Sequence, residues 1–204
     1  MTETVNVGRP RDDRIDRAVL ESTRDLLGEL SYADLTMTAV AARAGTSVPA
    51  IRRRWPSKAH LVHHAVFPDD VAVPPRRHDT SLRDEAAAVI DSCAMLMSSP
   101  AMVRAITGLL SDLAADEDLQ RELTARLRQA VWTDLGERFA EAAERDGVHL
   151  SVDVDLVVET TFGTALMAAL LRGADGLDGR WRAAMTELLL AGVGADRRPT
   201  EAAR

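Results

Sequence analysis

Lysine occurs once in this chain of 204 residues, at Lys58, and cysteine once, at Cys93. A single cysteine excludes an intramolecular disulfide and fits a reducing compartment. Aromatic side chains make up only 3% of the sequence, so the core must be mainly aliphatic. Alternating β-branched residues are nearly missing, which removes the strand signal and points to an all-α protein. No glycine-rich phosphate loop, paired-carboxylate motif or Ser-His-Asp order is found, so neither an enzyme nor a cofactor is expected. The N-terminal MTETVNVGRPRDDR lacks an apolar stretch, and no signal peptide is expected. The most apolar run, residues 156–171, is interrupted by Glu159, Thr160, Thr161 and Thr164. It falls short of the ~20 apolar residues that span a bilayer, so the expectation is a cytoplasmic protein without membrane contact.

Acidic residues are missing from one long stretch. Residues 35–68, LTMTAVAARAGTSVPAIRRRWPSKAHLVHHAVFP, carry Arg43, Arg52, Arg53, Arg54 and Lys58 and no Asp or Glu. The segments before and after it net −3 and −9, within a total of −7. Positive potential confined to one segment of an acidic protein implies a localised contact with a polyanion.

The remaining signals are helical. Residues 1–12 read as a polar arm. Ile15, Ala18, Val19, Ser22 and Leu26 recur at helical spacing, and Gly28 offers a stop. Thr36 reads as the N-cap of a short helix over 37–44 that Gly45 ends. Thr46 and Ser47 cap a third helix with Pro49 in its first turn, stopped before Pro56. Ser57 caps a fourth helix that reaches Phe67. Residues 68–80 hold three prolines and read as a linker. Beyond it, the spacing of Ser81 and Asp84 opens a helix to Ser98, and Ser99-Pro100 opens another. One long helix is expected over 116–145 with the stripe Leu119, Leu123, Leu127, Val131, Leu135 and Phe139. Helices from 153 to 171 and from about 181 follow, so a second helical domain spans 81–195 and a polar tail 196–204. The total is about nine helices.

The helices around Ala44-Gly45-Thr46 form a helix–turn–helix, because the tight turn needs a residue that tolerates positive φ. The second helix of such a unit enters the major groove of double-stranded DNA with its first residues on the base edges. Here those are Ser47, Val48, Pro49 and Ala50, small enough to meet thymine methyls. Arg43, Arg52, Arg53, Arg54 and Lys58 are placed to reach phosphates. Thr36 and Ser57 leave helix N-terminal amides for the same purpose.

Residues 14–61 resemble the DNA-binding domain of the TetR (tetracycline repressor) family of transcription factors. The likeness rests on Leu26-Leu27, Tyr32, Thr36, Val40-Ala41, Ala44-Gly45, Ser47, Ile51 and Trp55-Pro56-Ser57-Lys58. Two positions depart from the family pattern: Arg52 stands where a phosphate-binding tyrosine is usual, and Ser31 where a glycine is usual. The resemblance implies a homodimeric regulator, a repressor released by a small effector, reading a palindromic operator. It also implies a four-helix dimer interface from the last two long helices. Gly163, Ala165 and Ala169 are small enough for close approach, and Trp181, Met185 and Leu188 offer apolar surface. Alternatives from other classes are a helical small-molecule carrier and a constitutive regulator with a filled core.

Met97, Ile106, Trp132, Leu135, Phe139 and Met167 are candidates for an apolar effector cavity, with Thr160 and Thr164 as its polar groups. Methionine adapts to such pockets, although the same residues at helical spacing also make ordinary core, and threonines in helices bond back to their own carbonyls. His60, His63 and His64 lie at i, i+3 and i+4. No Cys or carboxylate cluster accompanies them, and no metal site is expected.

Overall fold

A computed structural model of the chain describes residues 13–67, 79–193 and 196–197; the side chains of Ala130, Trp132 and residues 193–197 fall outside that description. The expected arm over 1–12, most of the linker over 68–80 and the tail beyond 197 lie outside the described residues.

The first four helices are α1 (Asp13–Glu29), α2 (Met37–Arg43), α3 (Val48–Arg52) and α4 (Lys58–Val66). Their boundaries are set by short-range chemistry. Thr36, Ser47 and Ser57 each turn a side-chain oxygen onto the amide three residues ahead, relieving one unpaired donor at each helix start. Helix α2 ends in a Schellman arrangement. The Gly45 amide donates to the Ala42 carbonyl and the Thr46 amide to the Ala41 carbonyl, with Gly45 at φ +64°. Val19, Leu27, Leu35, Val40, Ile51, Trp55 and Leu61 close the small core beneath this unit.

Six further helices follow: α5 (Leu82–Met97), α6 (Pro100–Ala115), α7 (Glu117–Leu127), α8 (Thr133–Asp146), α9 (Val154–Arg172) and α10 (Gly179–Val193). Ser81 and Asp84 form a complete capping box on α5. Between Ser98 and Ser99 the chain bends by 88° into α6. Helix α5 is the axis of this half, packing against α6, α8, α9 and α10.

The single long helix expected over 116–145 is interrupted by a π-helical turn, Arg128–Trp132, which gives ten α-helices among the described residues instead of the expected nine. The leucine stripe explains the interruption. A strict spacing of four residues drifts by about 40° per step around a helix of 3.6 residues per turn. The wider π turn absorbs part of that drift. Leu119, Leu123, Val131, Leu135 and Phe139 therefore all stay buried. Residues Asp196–Arg197, expected in the tail, pair antiparallel with Val148–His149.

Helix α9 runs for 19 residues, and by length and composition alone it is long and apolar enough to cross a bilayer. The shorter run read from the sequence omitted its ends. One face, with Val157, Thr161, Ala165 and Ala168, is buried in the chain's own core.

Arg138 and Glu85 lie inside this core as an ion pair at 2.6 Å, with Thr80 donating to the other carboxylate oxygen at 2.5 Å. Removing one partner strands a buried charge, which costs ~3–5 kcal/mol, whereas replacing both by apolar groups is far milder. Urea denaturation of Arg138→Met is accordingly expected to show a loss of ~3–5 kcal/mol, and of Arg138→Met/Glu85→Leu a clearly smaller one.

Candidate nucleic-acid interface and apolar cavity

The basic segment divides into side chains that face outward and side chains that hold the fold. Arg52 and Arg53, at the end of α3, are exposed and without an ion-pair partner among the described residues. Ser47 and Pro49 are exposed at the start of α3, while Val48 and Ala50 are half-buried. Thr36 and Ser47 cap their helices through Ala39 N at 3.1 Å and Ala50 N at 3.4 Å. Arg54 is turned inward onto Asp16 of α1.

Two candidate phosphate contacts have other engagements. Arg43 forms a two-pronged bond to Glu29 at 2.8 and 2.9 Å, and hydrogen bonding to that guanidinium lowers the Glu29 pKa. Lys58 donates to the Tyr32 carbonyl at 3.0 Å, and its ammonium lies 4.2 Å from the centroid of the Tyr32 ring. The loop before α2 folds back over the start of α4, so the ammonium meets a carbonyl and an aromatic face there.

Tyr32 continues the path into the second half of the chain. Its hydroxyl donates to Asp112 of α6. Its ring occupies the space beside Gly108, where an added Cβ would lie 2.1 Å from the ring. Only glycine admits that approach. Burial and the Asp112 carboxylate hold the phenol above its usual pKa. Arg104, one turn earlier on α6, donates to the Leu27 carbonyl at 3.1 Å and to the Gly28 carbonyl, capping the end of α1. None of Arg104, Gly108 and Asp112 stands out in the sequence; the sole local signal is a glycine inside a helical pattern.

The opposite face of α6 walls an apolar cavity of about 240 Å³. Ile106, Leu109, Leu110 and Leu113 contribute from α6, and Val89, Ser92, Cys93 and Leu96 from α5. His63 and Phe67 enter from α4, Leu123, Thr124, Leu127, Val131 and Leu135 from α7 through α8, and Val158, Glu159 and Phe162 from α9. Burial pushes the Cys93 thiol up to about 12, so it stays protonated there.

Of the expected cavity residues, Ile106 and Leu135 line it. Met97 is fully buried in the core behind it. Phe139 faces a separate small cavity with Leu150 and Val154, because it lies about two turns beyond the π segment. Met167 points outward at 52% exposure, on the far side of α9. Thr164 donates its hydroxyl back to the Thr160 backbone carbonyl at 2.5 Å, and neither Thr160 nor Thr164 lines the cavity. The Trp132 side chain lies outside the described residues. The expected dimer residues are also redistributed. Ala165, Ala169, Trp181 and Met185 are buried inside the chain, because α9 and α10 spend those faces on α5. Gly163 is half-buried with open space beside it, and Leu188 is 60% exposed.

The three histidines of α4 do not converge. His60 reaches Glu122 of α7 at 3.2 Å, and His64 meets the His60 carbonyl at 2.9 Å. His63 takes Arg126 at 3.1 Å on its Nδ1. Burial, then the charge of Arg126, lowers the His63 pKa to about 3.

Comparison with known proteins matches both halves. Residues 19–65 fit the profile of bacterial regulatory proteins of the tetR family, and residues 78–192 that of a tetracyclin repressor-like C-terminal domain. The chain belongs to the TetR family. The uncharacterized HTH-type transcriptional regulator YdeS of Bacillus subtilis is 24% identical over 169 residues, covering 81% of this chain and 83% of YdeS. The uncharacterized HTH-type transcriptional regulator Rv1556 of Mycobacterium tuberculosis is 46% identical over 69 residues, 33% of each chain. The fold is shared with GusR of Salmonella enterica, at TM-score 0.65 and 13% identity over 90% of this chain and 97% of GusR. It is shared as well with a TetR-family regulator from Vibrio parahaemolyticus, at TM-score 0.61 and 16% identity over 88% and 98%. A TetR-family chain with this helix–turn–helix is a DNA-binding transcriptional regulator.

His63 gives the cavity a pH signature. The unfolded chain takes up this proton near 6.5 but the folded chain only near 3, with Arg126, His60 and His64 facing the ring. The unfolded state therefore binds more protons between those values. Stability is full above pH ~6.5 and falls as pH drops toward 3, by up to ~1.4 kcal/mol per pH unit from this group. Urea titrations at several pH values should show His63→Phe losing about one proton's worth of that slope.

Proposed function

We infer that this TetR-family chain is a repressor that binds a palindromic operator as a homodimer and is released by a small apolar effector. The observation that carries the reading is the path from cavity to DNA-facing helix. Helix α6 walls the cavity with one face and grips Tyr32 with the other, and Tyr32 holds Lys58, the first residue of α4. Helix α4 itself spans from the end of the recognition segment to the cavity wall at His63 and Phe67. An occupant that favours a shifted α6 or α4 must weaken operator binding by the same factor that the operator weakens its own binding. A 100-fold release takes only about 2.7 kcal/mol of differential affinity. The empty apolar volume favours this reading over a constitutive regulator with a filled core.

In this reading residues 13–67 form the DNA-binding unit, 68–80 a linker and 81–195 the regulatory and dimerisation unit in a cytoplasmic protein. Arg52 and Arg53 meet phosphates, and Ser47, Val48, Pro49 and Ala50 meet bases. Lys58 positions α4 and, with Arg43, has only its spare donors for the backbone.

The second copy belongs on the outer face of α9 and α10. Leu156, Met167, Leu170, Leu171 and Leu188 are exposed there, and on α9 positions 156, 160, 163, 167 and 170 follow the alternating three-and-four spacing of helix pairing. Large exposed apolar patches of this kind mark interfaces. A two-fold dimer would set two α3 helices about 34–36 Å apart, one turn of DNA.

Duplexes selected from genomic fragments by the purified protein provide the test, with binding followed by fluorescence anisotropy over a salt series. Arg52→Ala and Arg53→Ala should each flatten the salt slope by ~1, and Ala50→Glu should abolish selective binding in a folded chain. Salt-independent or sequence-blind binding by the parent protein rejects the reading. For the dimer, light scattering of Met167→Glu/Leu188→Glu is expected to give monomer mass; an unchanged dimer would move the interface elsewhere.

A further inference from the structure

His63 is the polar group of the cavity wall whose hydrogen-bonding sense is fixed. A guanidinium carries donors only, so the Nδ1 atom that sits 3.1 Å from Arg126 Nη1 must accept. The ring is neutral, since burial and Arg126 hold its pKa far below neutrality. Its one proton is therefore on Nε2, and the imidazole is a donor. His63 is only 4% exposed and stacks at 5.0 Å on Phe67, which in turn lies 5.9 Å from Phe162. The other uncharged polar groups in the wall, Ser92 and Thr124, carry rotatable hydroxyls that suit either sense.

No buried charge is offered to an occupant among the described wall residues. Glu159 is exposed at the rim, and Arg126 spends donors on His63 and the Phe67 carbonyl at 3.4 Å. A buried ion would meet no unpaired opposite charge facing inward, which makes its desolvation costly.

We propose that the cavity selects an uncharged, mainly apolar ligand with one hydrogen-bond acceptor, a carbonyl or ether oxygen, seated on the Nε2–H of His63. The assignment rests on the reading of this cavity as the effector site and names its chemistry. Because His63 belongs to α4, such an acceptor touches the helix that begins at Lys58 without an intermediary.

Isothermal titration calorimetry on the full chain without DNA decides it, using 4-phenyl-2-butanone, butylbenzene, 3-phenylpropylamine and 3-phenylpropionate as probes. The ketone is expected to bind ~10-fold tighter than the hydrocarbon, as one net hydrogen bond implies, and tighter than either ion. In His63→Phe the ketone advantage should fall to within ~2-fold while butylbenzene still binds, and His63→Gln, which keeps an N–H donor, should recover part of it. Equal affinities in the parent protein, an advantage that survives His63→Phe, a charged probe that binds tightest, or no binding of any probe overturns the assignment. A ketone preference that leaves operator affinity unchanged upholds the assignment and sinks the release mechanism instead.

Discussion

The one tyrosine and the one lysine of this chain meet each other. Tyr32 takes the Lys58 ammonium on its ring and carbonyl, rests its ring against Gly108 and hands its hydroxyl to Asp112. The arrangement ties three elements at one point: the loop that enters the helix–turn–helix, the first residue of the helix leaving it, and α6. An arginine at position 58 would bring a broad planar fork where a compact cation fits over the ring. A side chain at position 108 would displace the ring itself. Together with the packing of α1 and α4 on α6, these contacts hold the orientation of the first half relative to α6, and a shift of α6 cannot leave them undisturbed.

The cavity is placed to exploit that dependence. Four of its wall residues belong to α6 and two lie at the end of α4, so in the proposed reading an occupant would press on both supports of the recognition segment. The π turn contributes Val131 and lets α7 and α8 keep one apolar face toward the same space. Insertions of this kind recur at functional sites because they re-aim side chains at little cost to the helix. Polar groups are scarce in the described wall, and the His63 donor is fixed by Arg126, so in the proposed reading shape and one hydrogen bond would carry the chemistry of selection.

What could be read from the sequence was short-range. Gly45, Ser47, Ser57 and the Ser81–Asp84 box act on atoms two to four residues away, and each marks its helix end as expected. The TetR-family assignment follows from such residues in their order. The Lys58–Tyr32 contact was not legible, because its partner stands 26 residues earlier, beyond any local pattern. The cavity was only partly legible. Residue type suggested Met97, Phe139 and Met167, but the 88° bend between α5 and α6 and the π turn decide which faces converge. Helix α9 is apolar on two sides, and composition alone did not tell which side α5 would claim.

Reciprocal linkage tests the central claim, that the cavity and the DNA-facing helix share one equilibrium. Operator affinity would be measured with and without saturating 4-phenyl-2-butanone, and the affinity for that ketone with and without saturating operator. The account predicts that both affinities fall, and by the same factor. A ketone that binds in the cavity while both affinities stay unchanged would contradict it.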